Sequence, residues 1–237
     1  MHRLGLIIPS SNTTMEPEFY AMLPSAFTVH TARLRLREVT VEDLTQMEKK
    51  IEEEALKLKD TGVEVIGYGC TSGSLFRGKD HDKEIETRIE KCSDIPAVAT
   101  AGAVVKALSM LKAQKVAVAT PYIEEVNSLE RAYLGETGLQ VVDLKGLGIK
   151  SNYQIGKLKP ESAYKLVKEL RYKEADAIFI SCTNFSTLNV IKKLEEETKK
   201  PVISSNTATL WAMIKRCGIS LKVKGGGRLL EESLNEF

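Results

Sequence analysis

Two cysteines stand where a sheet protein does chemistry. Cys70 follows the apolar run Val63-Glu64-Val65-Ile66-Gly67-Tyr68-Gly69 and opens Cys70-Thr71-Ser72-Gly73. Cys182 follows Ala175-Asp176-Ala177-Ile178-Phe179-Ile180-Ser181 and opens Cys182-Thr183-Asn184-Phe185. Each run has the length and continuity of a buried parallel strand. The carboxyl ends of such strands are where open α/β sheets bind ligands. Backbone N–H groups in the turns that follow favour an anion, and are expected to lower a thiol pKa from its reference of about 8.5. Two thiols across a cleft can add and remove protons on opposite sides of one carbon, or one can attack carbon while the other supplies a proton. Cys92, on a charged helix, and Cys217, just before Gly218, read as structural.

Other chemistries are poorly provided for. The three histidines lie at the terminus (His2), within an apparent strand (His30) and in a charged stretch (His81), so a Ser-His-Asp or Cys-His arrangement has little to recruit. There is no CxxC pair, and the four cysteines are too widely spaced for a disulfide framework. Neither GxGxxG nor GxxxxGK[ST] follows a strand, which argues against a dinucleotide or a nucleoside triphosphate. No acids or histidines sit at metal-ligand spacing. Thirty-four Lys plus Arg against thirty-two Asp plus Glu leave +2, mixed in sign along the chain, with no basic block for nucleic acid. The first apolar run, ended by Pro9, is too short for a signal peptide or membrane span, so a cytoplasmic protein is expected.

The elements that must position the thiols repeat. Cys70 and Cys182 are 112 residues apart, and so are Pro9 and Pro121, each after an apolar run. In the first copy, residues 3–8, 27–36, 63–68 and 95–99 read as strands, with one helix from Thr40 to about Lys59 and another from about His81 to Cys92. In the second, strands are expected at 115–120, 139–144, 177–180 and 201–203, with a helix at 161–172 and a long loop marked by Gly146, Gly148 and Gly156. Four strands thus match four. Ser10 to Thr14 serve equally as a turn with a helix cap or as a carboxylate pocket. Trp211 and Met213 fit a core or an interface. The tail from Lys222 is expected to return to the first copy, giving domains of 1–112 completed by 208–237, and 113–207.

The chain resembles the aspartate/glutamate racemase superfamily, and within it the maleate cis-trans isomerase and arylmalonate decarboxylase branch. The matching stretches are Gly5 to Glu18 (GLIIPSSNTTMEPE), Gly69-Cys70-Thr71-Ser72-Gly73, Thr120-Pro121-Tyr122, Ser181-Cys182-Thr183-Asn184 and Ser204-Ser205-Asn206. The resemblance implies an α/β fold of two pseudo-symmetric Rossmann-like domains, each with a four-stranded parallel sheet, and an active site in the cleft between them. It also implies a mechanism without cofactor or metal. In the decarboxylase the position of Cys70 is glycine; this chain keeps both cysteines and so resembles the isomerase. Cys70 would then add to an olefinic carbon of maleate, and Cys182 would protonate its neighbour. Asn12, Tyr122 and Asn206 would hold the carboxylates, with Ser10, Thr71, Ser72 and Thr183 around them, and Asn152 reaching in from the Gly-rich loop.

A two-thiol racemase of aspartate, glutamate or a related acid is the alternative reading, and an arylmalonate-type decarboxylase another. A small-anion binding protein with structural thiols is the non-enzymatic one. The expected partners are a small dicarboxylate and further copies of the chain, as a homodimer or larger, with neither nucleic acid nor membrane.

Overall fold

Strictly parallel sheets bury both faces of their inner strands, and the inner strands here are accordingly near-continuous apolar runs rather than alternating ones. In the computed structural model, which describes residues 1–221, 223 and 225–231, they form two sheets. The first half runs β1 (His2–Pro9), α1 (Met15–Met22), β2 (Phe27–Leu34), α2 (Val41–Glu48), α3 (Ile51–Lys59), β3 (Val65–Tyr68), α4 (Thr71–Leu75), α5 (His81–Ser93), β4 (Ala97–Ala99) and α6 (Thr100–Met110). The second runs β5 (Lys115–Thr120), α7 (Glu124–Glu136), β6 (Gln140–Gly146), α8 (Asn152–Gly156), α9 (Pro160–Lys168), β7 (Ala177–Ile180), α10 (Leu188–Thr198), β8 (Val202–Ser204) and α11 (Ser205–Arg216). A short α12 (Arg228–Glu231) follows. No helix among the described residues is long and apolar enough to cross a membrane.

The sheet orders are β2-β1-β3-β4 and β6-β5-β7-β8, all parallel, so the two halves are pseudo-symmetric Rossmann-like units. Register repeats with the sequence offset: Leu4 pairs with Val65 and Val29, and Val116, 112 residues on, pairs with Ala177 and Val141. By the last strand of each sheet the offset has fallen to 105. Ile66 faces Ala97, and Ile178 faces Val202. Those last strands are edges, and glutamates from the preceding helix accept their outward N–H groups. Glu90 accepts from Ala97 at 3.0 Å, Glu86 from Ala99 at 2.8 Å, and Glu195 from Val202 at 2.9 Å.

Alternate residues of each strand feed different cores. Leu4, Leu6 and Ile8 of β1, with Val116 and Val118 of β5, enter one core shared by the two sheets, where Val104, Tyr133, Phe179, Trp211 and Met213 pack. Ile7 and Ile66 face a second core with Leu44, Ile51 and Ile85, and Ala117, Ile178 and Ile180 face a third with Val167 and Ile191. Trp211 and Met213 are therefore core residues. α11 packs against α6, β3 and β4, although it follows β8 in sequence.

Three local expectations change. The helix expected from Thr40 to Lys59 is two, broken at Lys49-Lys50, where Lys50 leaves the helical region (φ −113°, ψ 8°). Residues 71–75, expected as a turn and loop, form α4, and the long Gly-rich loop contains α8. Of the tail expected to complete the first domain, residues 222, 224 and 232–237 lie outside the described residues.

Candidate active site

Both cysteines lie just past the carboxyl ends of their strands, where the two halves meet, and are 3% and 4% exposed. Cys70 is the N-cap of α4, with its sulfur accepting the Gly73 N–H at 3.3 Å. The Ser72 hydroxyl lies 3.8 Å from that sulfur. Gly73 is required there, because a Cβ would fall 2.8 Å from the Tyr68 hydroxyl and 2.9 Å from the Cys70 sulfur. Cys182 sits in no helix. Its φ of 92° is a left-handed conformation that side chains other than glycine adopt only under constraint. The constraint is visible: its N–H donates to Ser205 Oγ at 3.0 Å, and its sulfur accepts the Asn184 N–H at 3.4 Å. The Tyr122 hydroxyl lies close enough to that sulfur to favour its thiolate.

The halves are tied together at this floor. Asn12 Nδ2 donates to Thr183 Oγ1 at 3.0 Å, and Thr183 Oγ1 donates across to the Gly69 carbonyl at 3.0 Å. Thr71 Oγ1 donates to Ser205 Oγ at 2.8 Å, the same oxygen that receives the Cys182 N–H. Asn184 carries a second web, donating to the Asn152 carbonyl at 2.7 Å while its Oδ1 accepts the Thr13 N–H at 2.9 Å. The α8 helix brings Asn152 to this web, where Nδ2 donates to Ser11 Oγ at 2.8 Å. Asn12 and Asn152 each commit one amide hydrogen and keep a second.

The residues singled out in the sequence divide accordingly. Cys70, Thr71, Ser72, Asn12, Tyr122, Asn152, Cys182, Thr183 and Asn206 are all buried at the junction of the halves. Ser10 stands outside it: it is exposed, and its hydroxyl accepts the Leu36 N–H at 3.2 Å, which fixes the end of β2. Asn206 has a different set of partners from that expected of a carboxylate holder. Both its amide hydrogens are committed, to Glu18 Oε2 at 2.7 Å and to the Thr183 carbonyl at 3.2 Å. Only an acceptor remains, which cannot bond a carboxylate.

Glu18, Asn184 and Ser205 were not singled out as site residues. Glu18 Oε1 accepts the Thr187 and Leu188 N–H groups at 2.7 and 3.0 Å, and thereby clamps the far end of the Cys182 loop. Its place in the GLIIPSSNTTMEPE stretch was a signal; its acidity alone suggested only a helix N-terminus. Burial raises its pKa, against the opposing effect of these donors.

Electrostatics correct the expected thiol activation. Burial pushes Cys70 up to about 11, with the Gly73 and Ser72 hydrogen bonds opposing it incompletely. Burial pushes Cys182 further, to about 12, and the nearby Cys70 adds to the rise. Both are therefore held as neutral thiols at ordinary pH. The donors in the turns do act in the expected direction, but dehydration of a fully buried sulfur outweighs them. Arg33 approaches the site from outside, donating to the Asn12 carbonyl at 2.8 Å, and is paired with Glu16. The floor itself is lined by amides, hydroxyls and thiols.

Comparison with known proteins places this constellation. Residues 4–230 match the family model described as arylmalonate decarboxylase. The maleate isomerase of Pseudomonas putida is 32% identical over 243 residues, covering 97% of this chain and 97% of that protein. The crystal structure of the maleate isomerase Iso from Pseudomonas putida S16 is 33% identical, with a TM-score of 0.95 over 98% of this chain and 99% of that one. A cysteine-to-serine mutant of the Nocardia farcinica maleate cis-trans isomerase, with a covalently bound succinylcysteine intermediate, is 29% identical, with a TM-score of 0.93 over 98% of each chain. The chain belongs to the arylmalonate decarboxylase family, in the branch that holds the maleate isomerases, and is an enzyme of the aspartate/glutamate racemase superfamily.

Proposed function

We propose that the protein isomerises maleate, or a closely similar small dicarboxylate, from cis to trans without a cofactor, through a succinyl intermediate on Cys70. The observation that carries this reading is a buried thiol at both equivalent strand ends, the two close enough to sense each other's charge. Relatives that act on maleate, one with a succinylcysteine, support it.

The free amide hydrogens of Asn12 and Asn152 and the Tyr122 hydroxyl hold the carboxylates, beside the leading N–H groups of the α4 turn at Thr71 and Ser72. Aligned dipoles can hold a dianion while favouring the charge that develops on the attacked diacid. Asn206 acts through the loop, holding the Thr183 carbonyl and Glu18. The Cys70 thiolate, a minor form of the thiol, bonds to one olefinic carbon, and the Cys182 S–H proton passes to the neighbouring carbon. The former double bond is then single and rotates freely, which is the reason for covalency. The Cys182 thiolate next removes a proton from the carbon it protonated, the C–S bond breaks, and fumarate leaves with the Cys70 thiolate restored.

A two-thiol racemase is the second reading, favoured by the same pair of sulfurs; it would require a partner for a substrate ammonium. Proton NMR of purified protein with maleate, beside D- and L-aspartate in heavy water, separates the two. Loss of the aspartate α-proton signal without fumarate would reverse the order. Neither product, with diacid binding that survives replacement of both cysteines, would leave a binding protein. We also infer a cytoplasmic homo-oligomer whose first domain, residues 1–112, is completed from 208 onward, with 113–207 the second. The packing of α11 on the first sheet supports that division. Light scattering that returns a monomer at micromolar concentration would remove the oligomer.

A further inference from the structure

Glu130 is a buried acid that the chemistry above does not use. It lies on α7, 0% exposed, and neither carboxyl oxygen has a hydrogen-bond partner. Ser181 Oγ stands beside it, also buried and outside hydrogen-bonding geometry with any group. Its surroundings hold no compensating charge. The α4 helix, packed on α7, carries no ionisable side chain between Thr71 and Leu75. From β6 comes Asp143, paired with Arg171, and Lys145, which faces Glu169. The end of β5 brings Tyr122, and the end of β7 brings Cys182. Asp82 of α5 lies by Tyr133, and Glu124, Glu125, Arg131 and Glu136 of α7 itself are exposed.

The repeat explains why this acid has no partners. Glu18, 112 residues earlier, occupies the equivalent helix and is satisfied by three donors: the Thr187 and Leu188 N–H groups and Asn206 Nδ2. Neither kind of donor exists for Glu130. The segment after Cys70 is wound into α4, which uses its own N–H groups, and the second residue of α6, matching Asn206 of α11, is Ala101. A carboxyl buried here without such donors holds no loop, and it lies near enough to Tyr122 and Cys182 for its charge to act on both.

We propose that Glu130 is the proton-uptake group of the anion cleft, binding a proton from solvent as a dicarboxylate enters and returning it as the acid leaves. The inference rests on the reading of the cleft as a dicarboxylate site, but not on isomerisation. A dianion entering a dehydrated floor raises the free energy of every buried negative charge nearby. Cys70 and Cys182 are already neutral thiols and have no charge to give up. Glu18 is raised by burial as well, but three N–H donors oppose the rise and hold its charged form. Glu130, pushed up to about 7 by burial with only the neighbouring Ser181 hydroxyl opposing the rise, is ionised at mildly alkaline pH and has no backbone or amide donor holding its charge in place. Its neutralisation leaves room for the bound diacid and, during turnover, for a thiolate.

Malonate, a dianion without a double bond to isomerise, tests this by calorimetric titration at pH 8 in two buffers of different ionisation heat. Wild type should take up about half a proton or more per malonate, and affinity should weaken by up to about tenfold per pH unit above pH 7.5. Glu130→Gln, which keeps the shape and removes the titration, should bind malonate with no uptake and an affinity flat with pH. Ser181→Ala should retain uptake. Zero uptake by wild type, uptake that persists in Glu130→Gln, or no malonate binding would each overturn the inference. Uptake without fumarate production would remove the isomerase and leave Glu130 in its role, and fumarate production without uptake would do the reverse.

Discussion

After β3 the chain winds at once into α4 and Cys70 caps that helix with its own sulfur; after β7 it runs through a left-handed Cys182 that three other elements hold. The two turns share a place in the repeat and a register, but only the first is regular. The Cys70 turn is made from within, by Gly73 and Ser74 returning to Cys70 and Thr71. The Cys182 turn is made from outside, by Ser205, by the Asn184 web and by the Glu18 clamp. A sulfur that must swing onto carbon suits a locally built turn. A sulfur that must deliver a proton to one face of the neighbouring carbon suits a position fixed by the whole fold.

The contrast is best broken at the sulfurs. Cys70→Ser should eliminate both turnover and the succinyl adduct, measured by fumarate NMR and by intact mass after trapping with maleate. Cys182→Ser should lower turnover by roughly 10²-fold or more, as expected for a lost general acid, while the succinyl mass accumulates on the Cys70 peptide. A succinyl mass on the Cys182 peptide in wild type would exchange the two roles.

The acids behind the turns sharpen it. Glu130 has a folded-state pKa raised from 4.5 to about 7, so its contribution to stability is complete below about pH 4.5 and lost as pH rises to 7. Above that window Glu130→Gln should be more stable than wild type by about 3 kcal/mol, with the gap closing at pH 5, as read by urea unfolding at both values. Its repeat mate is raised by burial too, but differs in having donors to lose. Glu18→Gln keeps an oxygen for the Thr187 and Leu188 N–H groups but sets its NH2 against Asn206 Nδ2, and should cost about 1–3 kcal/mol by the same measurement at pH 8. It should also lower kcat more than it changes KM. Gly73→Ala, which crowds the Cys70 sulfur, should cost about 1–3 kcal/mol and slow adduct formation in stopped mass measurements. Unchanged adduct rates would show that the Cys70 turn tolerates far more than its geometry implies.

Much of this is legible in the sequence. Apolar runs ending in small polar residues located all eight strands to within two residues at each end, and the 112-residue offset gave the pairing of halves because register is inherited with the repeat. Cys70, Cys182, Asn12, Tyr122 and Asn152 are singled out by strand ends and by resemblance, and the structure buries all five. Short helices were not legible. α4 and α8 have five residues each, too few for a 3.6-residue period to declare itself. A cysteine sulfur is also no usual helix cap. The break at Lys49-Lys50 carries neither proline nor glycine. The thiol pKa values failed for a different reason, since turn chemistry is local and dehydration depends on everything packed around the sulfur. Glu18 and Glu130 could be aligned on paper, but which one would find donors depended on α4.

The glutamates along β4 and β8 have one more consequence. An edge strand offers unpaired N–H groups that another molecule's strand can take up, and such pairing is how sheets grow between chains. Here Glu86, Glu90 and Glu195 already occupy those groups at Ala99, Ala97 and Val202. A foreign strand would have to displace a bonded carboxylate at each of them. These two edges are thereby guarded against fibril-like recruitment, and copies of the chain that meet on this side would have to meet through helices.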